Sequence, residues 1–535
     1  YKDGRHWVAF DSNQIKSATG NVGTYNPETG DIRLSLKRSL KNNLNPNIAS
    51  RIDQITTARE EKGWGERMMD ATNPDTYSKL RAQALNRYNR LGEYDKQLAE
   101  KMGGAALLAD SSAEAAALMS DLSAGVTASV LGVHDRHGGI PVFRNGITTV
   151  DGSVKGPMAI FKPLAEMGDP YIYQMWQFYA GAKRGTRLLA DGREHVYTPA
   201  DIAYAAQLEK QYPVFKQVAK EWNEYNNGLV KYMVDTGVIT PAAGVEWTKY
   251  SDYIPFYRQL DDEKTIGPKI FQSISGVRAP KTLKGGTAPL ADLMETVVRN
   301  TQSAIQSGMK NVAAQRAVNV AVSIQMANKL PTPRAGADVV QVLENGKQVS
   351  YEVADPLFID AVKSLNLPDL PFLGFFAGPS NLLRNLVTKD PGFMMANMVR
   401  DSMSAWVTSG VKMTPVVSAV KNFTGALRGT SPEYQALLNA GVLGGYDYAQ
   451  DVAKSAKQFK QGLSKYAPST GFDKLKNPIT SLWEGLEKGT SASDAATRME
   501  VYKNVLAETG NEAEAIFRSL EVMNFNRKGS SAVIR

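Results

Sequence analysis

The run Val214-Phe215-Lys216-Gln217-Val218-Ala219-Lys220-Glu221-Trp222-Asn223-Glu224-Tyr225-Asn226-Asn227-Gly228-Leu229-Val230-Lys231-Tyr232-Met233 decides the fold class. Val214, Val218, Trp222, Tyr225, Leu229, Tyr232 and Met233 recur at three- and four-residue steps. Side chains so spaced share one face of a helix. Gly237 and then Pro241 close that helix. Upstream, Thr198-Pro199-Ala200-Asp201 combines a capping hydroxyl with a proline at the first turn and starts another helix. Downstream, Leu290 to about Leu330 contains no proline and one glycine, Gly308, and predicts a long helix.

The period changes from helical to alternating at two places. Ile140-Pro141-Val142-Phe143 and Ile147-Thr148-Thr149-Val150 flank Asn145-Gly146. Val339-Val340-Gln341-Val342-Leu343 and Val349-Ser350-Tyr351-Glu352-Val353 flank Glu344-Asn345-Gly346-Lys347. Asn-Gly between extended runs is the sequence sign of a two-residue hairpin turn. The predicted fold class is therefore mainly α, a multi-domain helical architecture with two small β-hairpin insertions.

The expected division follows composition along the chain. Residues 1–35 read as the end of an upstream module plus a linker, with a strand-like Trp7-Val8-Ala9-Phe10 and then Gly20, Gly23, Asn26, Pro27 and Gly30. Residues 36–160 form a helical region with the first hairpin. There Asn73-Pro74-Asp75 opens a helix whose apolar side carries Leu80, Ala84, Leu91 and Leu98, with Arg81, Arg87, Arg90 and Lys96 mostly elsewhere. Ser111-Ser112-Ala113-Glu114 is a capping signal before an alanine-rich helix, and Glu114 reads as a lone carboxylate without a partner. Residues 161–288 are helical, with an aromatic cluster (Trp247, Tyr250, Tyr253, Phe256, Tyr257) and a basic loop. Such aromatics either pack elements together or stack on unpaired bases. Residues 289–365 hold the long helix and the second hairpin, and 366–535 a C-terminal helical domain in which Met394, Met395, Met398 and Met403 give an adaptable apolar patch.

Composition narrows the function classes. The 535 residues suit roughly three or four domains. At 43% hydrophobic residues the chain can bury cores. The absence of cysteine excludes disulfides, thiolate metal sites and cysteine nucleophiles. The four histidines are His6, His134, His137 and His195. His134 and His137 are spaced to share a helical face, but Gly138-Gly139-Ile140-Pro141 follows, and the pair reads as a helix end rather than a metal site. No catalytic constellation and no cofactor motif is found: Asp261-Asp262-Glu263 is an acidic loop, and the basic loop lacks the phosphate-loop pattern. The uncharged stretch Leu370 to Leu383 is short and interrupted by Pro371, Gly374 and Pro379, so it does not read as a spanning helix.

The net charge of +8 permits contact with nucleic acid or an anionic surface. Two groups carry the expectation. Arg278, Lys281 and Lys284 stand in a flexible Gly-containing loop. Lys454, Lys457 and Lys460 recur every three residues, with Lys465 following, and together occupy a broad arc of one helix unless Gly462 ends it first. All seven are DNA-facing candidates, weighed against an ordinary solvated surface.

Several phrases resemble a known family. Phe10-Asp11-Ser12-Asn13-Gln14-Ile15-Lys16-Ser17-Ala18, with Gly20-Asn21 and Gly23-Thr24-Tyr25-Asn26-Pro27, resembles the end of an enzymatic module in very large phage polyvalent proteins. The hairpin phrase from Glu344 through Tyr351-Glu352-Val353-Ala354-Asp355-Pro356-Leu357 is similar to them as well. Arg384-Asn385-Leu386-Val387, Pro391-Gly392-Phe393, Asn397, Arg400-Asp401 and Ser404-Ala405-Trp406-Val407 resemble the large polyvalent-protein-associated domain of phage internal virion proteins. Arg498, Glu500 and Tyr502, then Asn524-Phe525-Asn526-Arg527-Lys528-Gly529-Ser530, resemble its later part.

The resemblance implies a segment of a longer polyprotein that is not itself an enzyme. It implies an internal virion protein that is ejected into the host envelope, where it forms part of a conduit for genome delivery. Its expected places are the virion interior, then the host periplasm or inner membrane. Its expected partners are further copies of itself, other virion or ejection proteins, double-stranded DNA held weakly and non-specifically, and the host inner membrane. The alternative is a scaffold or accessory segment whose nuclease, peptidase or peptidoglycan-cleaving domains lie outside this chain.

Overall fold

The computed structural model describes residues 86–133, 138–192, 197–250, 292–366, 422–443 (without 423, 424 and 427), 452–468 and 478–522. For 452–454, 478–491, 493 and 494 it describes the backbone alone. Among these residues stand fourteen helices and two small antiparallel sheets, so the mainly α reading with small β insertions holds.

The centre is a single long helix, α9 (Leu293–Ser323), of 31 residues, which at 1.5 Å per residue is about 46 Å long. Asp292 caps it, accepting the N–H groups of Met294 and Glu295. Against α9 pack α1 (Asn89–Lys101), α2 (Ala113–Ser120) and α3 (Ser123–Leu131). The α2 contact is built from alanine: Ala113, Ala116 and Ala117 meet the region of Ala313, Ala314, Ala317 and Ala321, and small side chains let the two backbones approach closely. Helices α5 (Ile172–Ala190) and α7 (Val214–Asp235) also pack on α9, and α4 (Pro157–Ala165), α6 (Pro199–Gln211) and α8 (Pro241–Thr248) pack on α7. Farther along the chain come α10 (Pro356–Lys363), α11 (Pro432–Asn439), α12 (Val452–Ser464), α13 (Pro478–Thr509) and α14 (Glu512–Glu521).

Helix α7 buries the stripe its sequence sets out. Val218, Trp222, Tyr225 and Tyr232 are at most 2% exposed, with Phe215 added to them. Each such large side chain contributes about 1.5–3 kcal/mol on burial. Its contact with α9 needs glycine: a Cβ on Gly308 would lie 2.5 Å from the Tyr232 ring. Thr198 and Asp201 form a reciprocal capping box at the start of α6. Gly237 does end α7, with φ +72°. Pro241 then begins α8, a short helix the sequence reading had not separated from the aromatic cluster.

Both hairpins form around their Asn-Gly pairs. Strands β1 (Ile140–Arg144) and β2 (Ile147–Asp151) pair with Arg144 opposite Ile147. Strands β4 (Val339–Glu344) and β5 (Lys347–Val353) pair with Glu344 opposite Lys347. Asn145, Gly146, Asn345 and Gly346 all have positive φ, as a type I′ turn requires. The second sheet also has a third strand, β3 (Ala327–Lys329), paired with β5. The long helix therefore stops seven residues short of the expected Leu330, at Ser323, and the chain turns through Gln325 at φ +63° into β3.

The hairpin tips are docked rather than free. Gly346 N–H donates to Gly237 O at 2.9 Å. Asn311, fully buried, donates to Thr236 O and Leu343 O and accepts from Leu343 N–H, so it ties the end of α7 to β4. Arg316 donates to Ala109 O and to Gly146 O, joining the loop before α2 to the first hairpin. The main hydrophobic core takes residues from each of the segments 36–160, 161–288, 289–365 and 366–535, from Ala109 to Val522.

Two readings of charged residues at α1 and α2 need correction. Arg87 and Arg90 do not point away from the packed side: Arg87 is 7% exposed and bonds Asp121 at 2.6 Å, and Arg90 bonds Asp355 at 2.6 Å. Glu114 is not without a partner, since Asn86 donates to it and Gly92 lies against its carboxylate. The helix opening at Asn73, the methionine patch, the uncharged stretch from Leu370 to Leu383 and the phrases between Arg384 and Val407 lie outside the described residues, as do residues 1–35 and the phrase from Asn524.

Candidate nucleic-acid interface

Helix α12 carries thirteen residues, three of them lysine and none acidic. Its apolar positions Ala456, Phe459 and Leu463 are buried, Phe459 completely. They join the main core where α12 packs on α4 and α9. Gly462 does not end the helix, which continues to Ser464. A Cβ there would lie 2.6 Å from Met158 Cε, so glycine serves the close approach of α12 to α4.

The split between faces leaves lysines in solvent. Lys457 is exposed, with no carboxylate in ion-pair reach among the described residues. Lys460 is exposed and pairs with Asp292 at 3.0 Å. Lys454 lies on the same helix. Lys465 is exposed but follows the end of α12, so the four lysines do not share one helix. Arg278, Lys281 and Lys284 lie outside the described residues.

Two charged groups near α12 were missed in the sequence. Lys162 of α4 sits 4.9 Å above the Tyr466 ring and 3.7 Å from Glu166. Asp292 meets Lys460 from 168 positions away. The approach of Lys162 to Tyr466 and of Asp292 to Lys460 has no local sequence signal, because both follow from the packing of α4 and α9 on α12.

A cavity of about 350 Å³ opens beside the Lys460–Asp292 pair. Its walls are Leu463 and Ser464 of α12, Leu293 and Met294 of α9, and Ile172, Tyr173, Gln174 and Gln177 of α5. Burial pushes the Tyr173 hydroxyl up to about 12, so at neutral pH it is a neutral hydrogen-bonding group. Ser464 Oγ donates to Gln461 O.

The buried carboxylates serve the fold. Asp95 accepts from Ser112 Oγ, Ala113 N–H and Glu114 N–H, capping α2 from α1. Burial holds its carboxyl above the usual carboxylate range, against the opposing pull of those donors. Glu514 accepts from Ala109 N–H and from Arg518. Among the described residues no three His, Cys, Asp or Glu side chains gather as a metal site. The four histidines and Asp261-Asp262-Glu263 lie outside those residues. Also among the described residues, no helix is long and apolar enough to cross a membrane.

Of the aromatic cluster, Trp247 packs on the small core of Val230, Val238, Ile239 and Leu343. The Tyr250 ring lies 3.9 Å from the Arg187 guanidinium carbon. Tyr253, Phe256 and Tyr257 lie outside the described residues. Comparison with protein-family models, with curated proteins and with solved structures finds no match.

Proposed function

We propose that this chain is a structural, non-enzymatic segment of an internal phage virion protein, ejected into the host envelope to form part of a conduit for the genome. The observation that carries the reading is α12: Phe459 and Leu463 anchor one side in the core, and Lys457 and Lys460 stand on the side left to solvent. A lysine row held on a rigid helix attracts the phosphate backbone without reading sequence. That suits a surface along which duplex DNA must slide. In this reading the chain works as a homo-oligomer beside other ejected proteins, first in the virion and then in the periplasm or at the inner membrane. The resemblance of the phrases around Arg384 to Val407 and Arg498 to Tyr502 supports it.

The test is duplex binding by the full chain across a salt series. The reading expects a dissociation constant of about 10⁻⁴–10⁻⁶ M at physiological salt, weakening steeply as salt rises. Lys457→Glu should weaken it further. Binding indifferent to salt and to Lys457→Glu would remove DNA contact from the proposal and leave the accessory-segment alternative.

A further inference from the structure

The Lys460–Asp292 pair stands on the helix that carries the proposed DNA contacts, and its two members are held very differently. Asp292 Oδ1 accepts the N–H groups of Met294 and Glu295, each at 3.1 Å, which fixes the carboxylate on the first turn of α9. Its other oxygen, Oδ2, faces Lys460 Nζ at 3.0 Å. Lys460 sits on a flexible four-carbon stem beside the cavity of about 350 Å³, which leaves that stem room to swing. The lysine and aspartate side chains are 51% and 44% exposed, so water screens their attraction and a competing anion can part them.

We propose that Asp292 is a built-in counter-anion that competes with nucleic-acid phosphate for Lys460. The inference rests on the DNA-contact reading above. It gives neighbouring lysines unequal roles: Lys457 meets phosphate directly, and Lys460 does so only by leaving Asp292. The effect is to lower affinity at one point of the surface, as a surface that must release DNA requires.

The experiment measures binding of a labelled, arbitrary-sequence DNA duplex by fluorescence anisotropy. It uses the full chain as wild type, Asp292→Asn, Lys460→Gln and the double variant. Asparagine keeps the oxygen that accepts from Met294 and Glu295, so the cap survives, and circular dichroism melting checks this. Asp292→Asn should tighten binding about two- to five-fold and steepen the salt slope by up to about 0.9. At about 150 mM salt, where charges are screened beyond ~8 Å, the same change in the Lys460→Gln background should leave affinity unaltered. Equal tightening in both backgrounds, or no tightening in either, overturns the competition while leaving DNA contact intact. A wild-type chain that shows no salt-dependent binding overturns the DNA-contact reading and this inference with it.

Discussion

Arg90 of α1 donates from Nε to Asp355 Oδ2 at 2.6 Å, across 265 positions of chain. Tyr94 OH donates to the same oxygen at 2.9 Å, and Asp355 Oδ1 caps α10 by accepting from Leu357 N–H. The side chains of Arg90 and Asp355 are 14% and 6% exposed, so removing Asp355 takes the more deeply buried partner from Arg90 and leaves it the more exposed Glu93. Asp355→Ala should cost about 3–5 kcal/mol, measured by urea unfolding. Asp355→Asn, which keeps the cap, should cost less. A loss below about 1 kcal/mol for the alanine variant would show that the pair is screened like a surface one.

Gly308 and Tyr232 give a second prediction. Alanine usually favours a helix interior over glycine by about 1 kcal/mol. Here a Cβ would meet the Tyr232 ring, and that ring is held by Thr148 at 3.0 Å and by Ile305 O at 3.3 Å. Overpacking should therefore win, and Gly308→Ala should destabilise by about 1–3 kcal/mol. A raised melting temperature would mean that α7 and α9 part easily.

Glu209 sets a pH prediction at the α5–α6 contact. Its carboxyl lies below the usual carboxylate range, first because Lys183 donates to it, with Tyr179 and Lys216 adding to the effect. A depressed folded value means the stabilisation is complete above the unfolded value of about 4.5 and is lost as pH falls through the lower folded value. Its partners Lys183 and Lys216 are 49% and 77% exposed, so water screens the attraction and the contribution is below about 1 kcal/mol. Glu209→Gln should flatten the stability profile below that pH and lower the plateau above it. Unchanged profiles would show that solvent screens Lys183 and Lys216 from Glu209 completely.

These contacts show what the sequence can and cannot disclose. Asn145-Gly146, Asn345-Gly346 and Thr198 with Asp201 are legible because turn and cap chemistry is local: the positive φ or the reciprocal hydrogen bond needs only neighbouring residues. The stripe of α7 is legible because helical period maps directly onto a buried face. Arg87 and Arg90 were misread because charge predicts solvent, and Asp121 and Asp355 arrive only through tertiary packing. Strand β3 was missed because three residues carry no period, and its partner β5 lies some twenty positions later. The lysines of α12 were legible as a row, while Asp292, which decides what Lys460 can do, was not.

The lysine row itself is testable by salt dependence. Each phosphate contact contributes about 0.9 to the slope of log affinity against log salt. Lys457→Gln should lower that slope by nearly this amount, and Lys460→Gln by less, because Asp292 already occupies Lys460. Equal losses at both positions would place the two lysines in the same environment.

The proposed enclosure of DNA by this chain is tested most directly by cryo-electron microscopy of the full-length protein, alone and with the other virion proteins that the proposal places beside it. The expected result is a ring or tube of identical subunits, with a lumen wide enough for duplex DNA and α12 turned toward it. A monomer, or an assembly with Lys457 and Lys460 on its outer wall and a closed polar cleft with converging carboxylates, would contradict it.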